Sequence, residues 1–161
     1  MCGSIFIETP RLIIKTMEIK DYAALRLQQK DPYVMEFFGG PREDIKINAV
    51  LDLLSGHLDQ YGFSQGPVFI KETREFIGRA GLVHLDFKPV SDVELGYFIL
   101  QPYAGKGYAT ELGAALIAHA FNVLRSPRVF ATVDPKNIAS CRVSEKLGMI
   151  FERDDIYETL N

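Results

Sequence analysis

A glycine–lysine–glycine segment in the second half of the chain has the residue types and spacing to bind a phosphate group. It follows an apolar, strand-like run that ends at Leu100, and an amphipathic helical pattern starts directly after it. The first turn of a helix has N–H groups without intrahelical partners and carries a partial positive charge. Glycines leave room for an anion close to the backbone, and a lysine adds a full charge. The pattern predicts a phosphate site formed by Gly105, Lys106, Gly107 and the first N–H groups of the helix that starts near Tyr108.

Three classes of phosphate-bearing ligand bind at a helix start of this kind, and each requires a different sequence around it. A nucleoside triphosphate P-loop requires GxxxxGK[ST], which the segment does not match. A dinucleotide fold requires GxGxxG, and Thr110 stands at the third glycine position, although a strand that ends at Asp134 keeps this alternative open. An acyl-coenzyme A site agrees best with a strand, a loop and a helix in this order. A helix that starts with two glycines for purely structural reasons is the alternative to all three.

The elements that would position this loop change in character at Leu100. Before it we predict a strand at 11–17, a short helix starting at Asp21, a helix from 41 to about 60, and strands at 67–71, 76–87 and 92–100. The short connections between the last three strands favour antiparallel neighbours. After it we predict a helix from 108 to about 124, a strand at 128–133, a helix from about 137 to 147, and strands at 149–152 and 156–160. A strand, a helix and a strand in succession form a crossover, so the strands at 92–100 and 128–133 should run parallel.

Apolar residues at helical spacing predict the buried faces of two of these helices. For the helix that ends near residue 60 the predicted stripe is Ile45, Ala49, Leu53 and Leu54 (or Leu58). For the helix after the glycine loop it is Leu112, Leu116, Ala120 and Val123.

The composition is that of one soluble domain over residues 1–161, and it excludes several function classes. Hydrophobic residues make up 47% of the chain, and the net charge of -3 gives no general attraction to nucleic acid or acidic membranes. The two cysteines, Cys2 and Cys141, do not form a disulfide framework or a zinc motif. No apolar run is long enough to span a bilayer, and no secretory signal is visible. We therefore expect a cytoplasmic protein.

The glycine loop also resembles a known family signature. Pro102-Tyr-Ala-Gly-Lys-Gly-Tyr-Ala-Thr-Glu111 is similar to the coenzyme A signature of the GNAT N-acetyltransferases, most of all to the RimJ/RimL-like subgroup of ribosomal-protein-alanine N-acetyltransferases. Four further stretches match in order, at residues 8–14, 77–82, 94–97 and 137–149. One departure is Ala104, which stands where the signature (Q/R)xxGx(G/A) begins with Gln or Arg; Gly107 and Ala109 fill the two later places.

The resemblance implies a fold and a cofactor path. The fold class would be α/β (α+β): a mixed, mostly antiparallel sheet with a splayed parallel pair, flanked by helices. The pantetheine arm of acetyl-CoA, as cosubstrate, would lie in the splayed gap and pair with backbone groups of Phe98, Ile99 and Leu100. The residues from 105 to 110 would bind the pyrophosphate, Asn137 would contact the cofactor, and Ser140 would lie near its sulfur. Asn137 is equally an ordinary helix cap, and both roles are compatible.

Acetyl transfer to an amine needs a proton acceptor and a donor near sulfur, but no metal and no covalent enzyme intermediate. The first candidate base is Glu94, which would share one strand face with Gly96 and Phe98; its alternative role is an ion pair with Arg79. The second is His84, whose ordinary pKa is near ~6.5, although a structural histidine is the simpler interpretation. Many relatives place a tyrosine acid seven residues after the asparagine, where this chain has Ser144, so Ser140 is the candidate donor.

The acceptor is predicted only as a class. It would be a primary amine, either a peptide N-terminus or a small amine, and no nucleic acid or membrane partner is expected. Selection would fall to residues 31–66, where Phe37, Phe38, Tyr61 and Phe63 could line a groove or belong to the core. The protein would be a monomer or a homodimer. Two alternative functions are a coenzyme A-binding regulatory module without turnover and a dinucleotide-dependent oxidoreductase.

Overall fold

The computed structural model describes residues 4–84 and 92–154 and is built around a six-stranded sheet. The strands are β1 (Ile5–Glu8), β2 (Leu12–Lys15), β3 (Gln65–Ile70), β4 (Phe76–His84), β5 (Val93–Ile99) and β6 (Val129–Phe130), and they neighbour one another in sequence order. The helices are α1 (Tyr22–Lys30), α2 (Pro32–Met35), α3 (Asp44–Tyr61), α4 (Tyr108–Asn122) and α5 (Ile138–Lys146). In the part of the chain that the structure describes, single 3₁₀ turns lie at Ile19–Asp21 and Gln101–Tyr103. Among the described residues, no helix is both long and apolar enough to cross a membrane.

The sheet is antiparallel from β1 to β5 and ends in one parallel pair, as predicted. β5 and β6 run parallel because α4 connects them by a crossover. Only Val93 with Val129 and Glu94 with Phe130 are paired. Beyond Glu94, β5 continues to Ile99, and no strand within residues 4–84 and 92–154 pairs with that edge. The splayed pair expected from the resemblance is therefore confirmed.

Each face of the sheet is covered by its own helices. One apolar cluster joins α4, through Leu112 and Leu116, to residues of β2 to β5. The other joins α1 and α3, through Leu25 and Leu51 among others, to Val83 of β4. We refer to these two sides of the sheet as the α4 face and the α3 face.

The predicted stripe of α4 is confirmed at Leu112, Leu116 and Ala120, which are fully buried, whereas Val123 follows the last turn and is exposed. The predicted stripe of α3 is wrong apart from Leu54. The helix buries Ile47, Val50, Leu51 and Leu54, while Ile45 is 75% and Leu53 36% exposed. The buried face of α3 is therefore rotated from the expected one.

Gly78 explains why a glycine-containing stretch occurs in β4. A Cβ atom at this position would lie 2.0 Å from the carbonyl oxygen of Phe98 in β5, and the backbone has φ +149°. A backbone atom cannot yield as a flexible side chain can, so only glycine allows this approach of the two strands.

Several predicted boundaries differ from the structure. β1 was not predicted, the strand expected at 128–133 pairs only at Val129–Phe130, and residues 149–154 form no strand. The carboxylate of Asp21 accepts the Glu18 N–H at 2.9 Å and so closes the 3₁₀ turn instead of capping α1. Three predicted segments lie outside the described residues: the end of the strand 76–87, the connection after it, and the strand at 156–160.

Candidate active site

The predicted phosphate loop has the backbone of an anion site. Gly105 and Gly107 both have left-handed φ angles, +73° and +80°, and α4 begins directly after them. Gly107 is the N-cap, so no side chain occupies the first N–H groups of the helix. A Cβ at Gly105 would meet nothing within 4 Å. The space above the loop is therefore open to a ligand, and its floor is made of main-chain donors.

Arg11, which the sequence analysis did not assign to the site, holds this loop from behind. Its Nη1 donates to the carbonyl oxygen of Lys106 at 3.0 Å, and its guanidinium lies 4.6 Å from the ring centre of Tyr108. The loop has no cis peptide, and in a trans peptide the C=O and the following N–H point in opposite directions. By holding the Lys106 carbonyl, Arg11 therefore orients the N–H of Gly107 away from itself.

The same arginine is tied to the first turn of α4 through Glu111. Glu111 accepts Arg11 Nε at 2.6 Å, the Arg11 N–H at 2.9 Å and the Thr9 hydroxyl at 2.6 Å. Burial alone would raise the pKa of Glu111, but these hydrogen bonds and the arginine charge more than offset it, so the pKa lies below its ordinary value. Glu111 is thus ionised with its charge compensated. Thr9 and Arg11 both belong to the matching stretch at residues 8–14, and we call this contact the Arg11–Glu111 clamp.

The backbone groups along β5 agree only in part with the predicted contacts to the pantetheine arm. The N–H of Leu100 donates to Ile77 at 2.9 Å, and the Phe98 carbonyl points at Gly78, so both groups face β4. Backbone groups alternate in direction along a strand, and those of Ile99 and Tyr97 therefore face the gap. The main-chain contact with the pantetheine arm stays a prediction for Ile99, whose backbone groups face the gap, while Phe98 and Leu100 direct theirs toward β4.

The structure separates the two candidate bases. Glu94 pairs with Val83 and His84 with Val93, so the side chains of Glu94 and His84 lie on opposite faces of the sheet. His84 lines a cavity of about 220 Å³ with Val93, Leu124 and other residues near the C-terminal end of α4. The phosphate loop is at the other end of this helix. Glu94 lies at the point where β5 and β6 separate.

His84 also takes part in a histidine and aromatic cluster. The main-chain N–H of His84 donates to His57 Nε2 at 2.9 Å. The ring centres of Tyr61 and Phe63 lie 4.5 and 5.2 Å from that of His84. Phe38 is elsewhere, 4.9 Å from the ring of Phe98. The aromatic residues predicted to line one groove are thus divided between two places. A structural role of His84 is the better supported interpretation.

The start of α5 supplies the remaining predicted residues. Asn137 is the N-cap and its side chain accepts the N–H of Ser140 at 3.0 Å, which confirms the capping role. The Ser140 hydroxyl lies 2.7 Å from the hydroxyl of Tyr97 in β5. Tyr97 was missed in the sequence analysis, where it was only part of a matching stretch. This contact connects β5, which borders the gap, with the first turn of α5.

These residues fit an acyl-coenzyme A ligand. A nucleotide diphosphate needs main-chain donors and open space, which the glycine loop offers, and a pantetheine arm needs an unpaired strand edge beside it, which β5 offers. A bound acyl-coenzyme A would supply the thioester. Among the described residues, no group of His, Cys, Asp and Glu could hold a metal ion.

The sequence comparisons agree with this geometry. The chain matches the family model described as "Acetyltransferase (GNAT) domain" over residues 11–150. It is 32% identical over 146 residues to the uncharacterized protein YkkB of Bacillus subtilis, covering 90% of this chain and 85% of that protein. It is 30% identical over 146 residues to the uncharacterized N-acetyltransferase YnaD of the same organism, covering 89% and 81%.

Solved structures share the fold. The acetyltransferase from Agrobacterium tumefaciens is 28% identical, with a TM-score of 0.79 over 92% of this chain and 85% of that chain. The spermidine N-acetyltransferase from Vibrio cholerae, in complex with CoA and spermine, has a TM-score of 0.73 over 88% and 82%. Its identity of 19% makes this a likeness of fold alone.

Proposed function

Because the chain belongs to the GNAT acetyltransferase family and is therefore an acyltransferase, we propose that it transfers an acetyl group from acetyl-coenzyme A to a primary amine. Members of this family use acetyl-coenzyme A. The observation that carries the proposal is the loop of Gly105 and Gly107 at an uncapped helix start. It lies at the end of the strand whose edge, from Leu95 to Ile99, is not paired with any strand in the described part of the chain.

In the proposed arrangement, the first turn of α4 holds the pyrophosphate and the edge of β5 aligns the pantetheine arm. Main-chain N–H donors are suited to this because they are already oriented and carry the helix dipole. Lys106 adds a charge, Arg11 positions the loop, and Ile99 pairs with the arm.

The two faces of the sheet would then have different roles. Glu94 and Tyr97 lie three residues apart on β5, so one points to the α3 face and the other to the α4 face. We assign the amine to the α3 face, where Glu94 would accept its proton directly or through water as the new N–C bond forms. On this face the guanidinium of Arg79 lies 4.3 Å from the ring centre of Phe98, and Phe38 lies against the same ring. The sulfur would leave on the side of Tyr97 and Ser140.

We propose a protein N-terminal amine as the acceptor, on the strength of the RimJ/RimL-like stretches. A polyamine is the other acceptor to be tested, since the Vibrio cholerae relative in fold is a spermidine N-acetyltransferase. The net charge of -3 mildly favours a cationic amine in both cases. A cytoplasmic location and a monomeric or homodimeric state remain predictions.

The test of the loop compares two glycines with the same backbone strain. Gly105→Ala adds a methyl group at φ +73°, where it meets only the proposed ligand, and Gly62→Ala adds one at φ +77° after α3, also without a contact. Both changes should cost about 1–2 kcal/mol of stability from the left-handed backbone. Only Gly105→Ala should weaken coenzyme A binding in a calorimetric titration. Equal affinities of both variants, or no binding to the wild type, would contradict the site.

The test of turnover is an acceptor screen. Release of free thiol from acetyl-coenzyme A is followed with N-terminal peptides, polyamines and amino acids as acceptors. We expect release with at least one amine. Tight coenzyme A binding without release on any acceptor would favour a regulatory module, and thermal stabilisation by NAD instead of coenzyme A would favour a dinucleotide enzyme.

A further inference from the structure

We propose that Tyr97 positions the hydroxyl of Ser140 as the hydrogen-bond donor to the sulfur of the leaving coenzyme A thiol. This inference rests on the proposed function and identifies a residue of its leaving-group side. The carrying observation is the contact of 2.7 Å between the Tyr97 and Ser140 hydroxyl oxygens. It joins the open part of β5 to the third residue of α5.

The pair of hydroxyls has one hydrogen-bond donor that the shared bond does not use. Each hydroxyl has one hydrogen, and a single hydrogen bond between them uses one of the two. Within residues 4–84 and 92–154, neither hydroxyl has another hydrogen-bond partner, and the N–H of Ser140 is used by Asn137. One O–H hydrogen therefore remains for a third group, whichever residue donates within the pair.

The chemistry of the two hydroxyls decides which hydrogen is left. A phenol is more acidic than an aliphatic alcohol, so Tyr97 is the stronger donor and Ser140 the acceptor in the shared bond. A hydroxyl that accepts a hydrogen bond becomes polarised and donates more strongly itself. The remaining hydrogen is therefore that of Ser140, strengthened by Tyr97 behind it.

The surroundings of the pair favour a neutral tyrosine and an anionic ligand atom. Burial raises the pKa of Tyr97, opposed in part by the hydrogen bond with Ser140, so the phenol stays protonated at neutral pH. Ser140 lies in the first turn of α5, whose N–H groups carry partial positive charge. The helix terminus favours a thiolate over a neutral thiol next to Ser140, and the protonated Tyr97 adds no negative charge beside it.

The step itself requires no covalent change in either residue. As the amine forms its N–C bond, the carbon–sulfur bond breaks and its electron pair moves to sulfur. Ser140 donates a hydrogen bond to the negative sulfur and keeps its proton, and Tyr97 holds Ser140 in place. The amine proton leaves on the α3 face. Tyr97 is thus a positioning residue that acts through Ser140.

The decisive measurement is the pKa of the coenzyme A thiol bound to the protein, read from the ultraviolet absorbance of the thiolate against pH. In the wild type it should lie below that of free coenzyme A titrated in the same way. Tyr97→Phe and Ser140→Ala should each decrease the acidity constant of the bound thiol by about tenfold, the effect of one hydrogen bond to a charged group. The double variant should match Ser140→Ala because the two hydroxyls act in series.

Controls separate this inference from the proposed function. Tyr22→Phe removes a tyrosine hydroxyl from α1 and should leave the bound thiol pKa unchanged. If all variants bind coenzyme A but Tyr97→Phe keeps the wild-type thiol pKa, the inference is overturned while the enzyme assignment stands. If the wild type does not bind coenzyme A, the proposed function and the inference both fail. Should Tyr97→Phe not fold, Ser140→Ala decides, since an unchanged thiol pKa there also overturns the inference.

Discussion

Glu94 is the residue on which the amine side of the reaction depends. It stands where β5 and β6 separate, and strand alternation directs it to the α3 face. A carboxylate at the end of a gap can accept a proton from an amine that enters from that face. No similar position is available to His84, which lies one strand away, in the cavity near the end of α4.

We predict that Glu94→Gln lowers turnover at neutral pH by about 10²-fold, the lower range for loss of a general base. The affinity for coenzyme A should change little, because the phosphate loop is untouched. Steady-state kinetics over a pH series and a calorimetric titration measure the two effects. Glu75→Gln, in the turn before β4, is the control. Wild-type rates for Glu94→Gln at every pH would remove this residue from the mechanism.

Residues adjacent in sequence were easier to identify than residues adjacent only in space. The two glycines and the helix start occur within a few positions, so their joint role as an anion site follows from spacing. Tyr97 and Ser140 are 43 positions apart, and Thr9 and Glu111 are 102 apart. No spacing rule connects such pairs. Tyr97 and Arg11 were therefore visible only as parts of stretches that resemble the family.

At the scale of elements, the turn between β1 and β2 and the first turn of α4 form one unit. The Arg11–Glu111 clamp joins them, with Arg11 48% and Glu111 16% exposed. Because the arginine is half in solvent, the clamp contributes modestly to global stability. Its larger effect should be on the loop, since Arg11 holds the Lys106 carbonyl and compensates a carboxylate close to the proposed diphosphate.

We predict that Arg11→Gln raises the dissociation constant for coenzyme A by about tenfold, or about 1.4 kcal/mol. The variant loses the orientation of the loop and leaves the Glu111 charge uncompensated. Glu111→Gln should have a smaller effect because it removes a repulsive charge while it loosens the loop. Lys71→Gln breaks the neighbouring ion pair with Glu8 and serves as the control. Equal affinities of Arg11→Gln and the control would show that the clamp does not support the loop.

The elements differ in how well they could be predicted. α4 has one apolar stripe, so its buried face followed from the pattern. α3 carries apolar residues on several sides, including Ile45, Leu53 and Leu54, so its phase was ambiguous until the sheet selected Ile47 and Leu51 for burial. The strand composition after Arg128 extends to Val133, but pairing stops at Phe130 because the neighbouring strand diverges.

At the scale of the whole molecule, His57 connects the end of α3, the loop after it and β4. Its Nδ1 lies 2.7 Å from the Phe63 carbonyl oxygen, and its Nε2 accepts the N–H of His84. This arrangement requires the neutral ring with hydrogen on Nδ1, because a protonated Nε2 could not accept. Burial lowers the pKa of His57 below its usual 6.5. The hydrogen bond to Phe63 raises this pKa in part, and the nearby His84 lowers it further.

The lowered pKa predicts acid sensitivity of the fold. Well above pH 6.5, His57 is neutral in both the folded and the unfolded chain, so its full contribution to stability is present. As the pH falls below that value, the unfolded chain takes up a proton that the folded chain does not, and stability decreases until the folded pKa is passed. Burial lowers the pKa of His119 as well, which adds to the same slope. Each such proton contributes at most about 1.36 kcal/mol per pH unit.

Chemical denaturation between about pH 7.5 and 5.5 measures this slope, in a range where Glu111 stays ionised because its pKa lies below 4.5. His57→Gln should be less stable than the wild type at the upper pH, since the His84 N–H loses its acceptor, but its stability should depend less on pH. His119→Gln should also flatten the profile without breaking that hydrogen bond. The two reductions in slope should add, because the two imidazoles titrate independently. A wild-type slope in both variants would place the acid sensitivity in other groups.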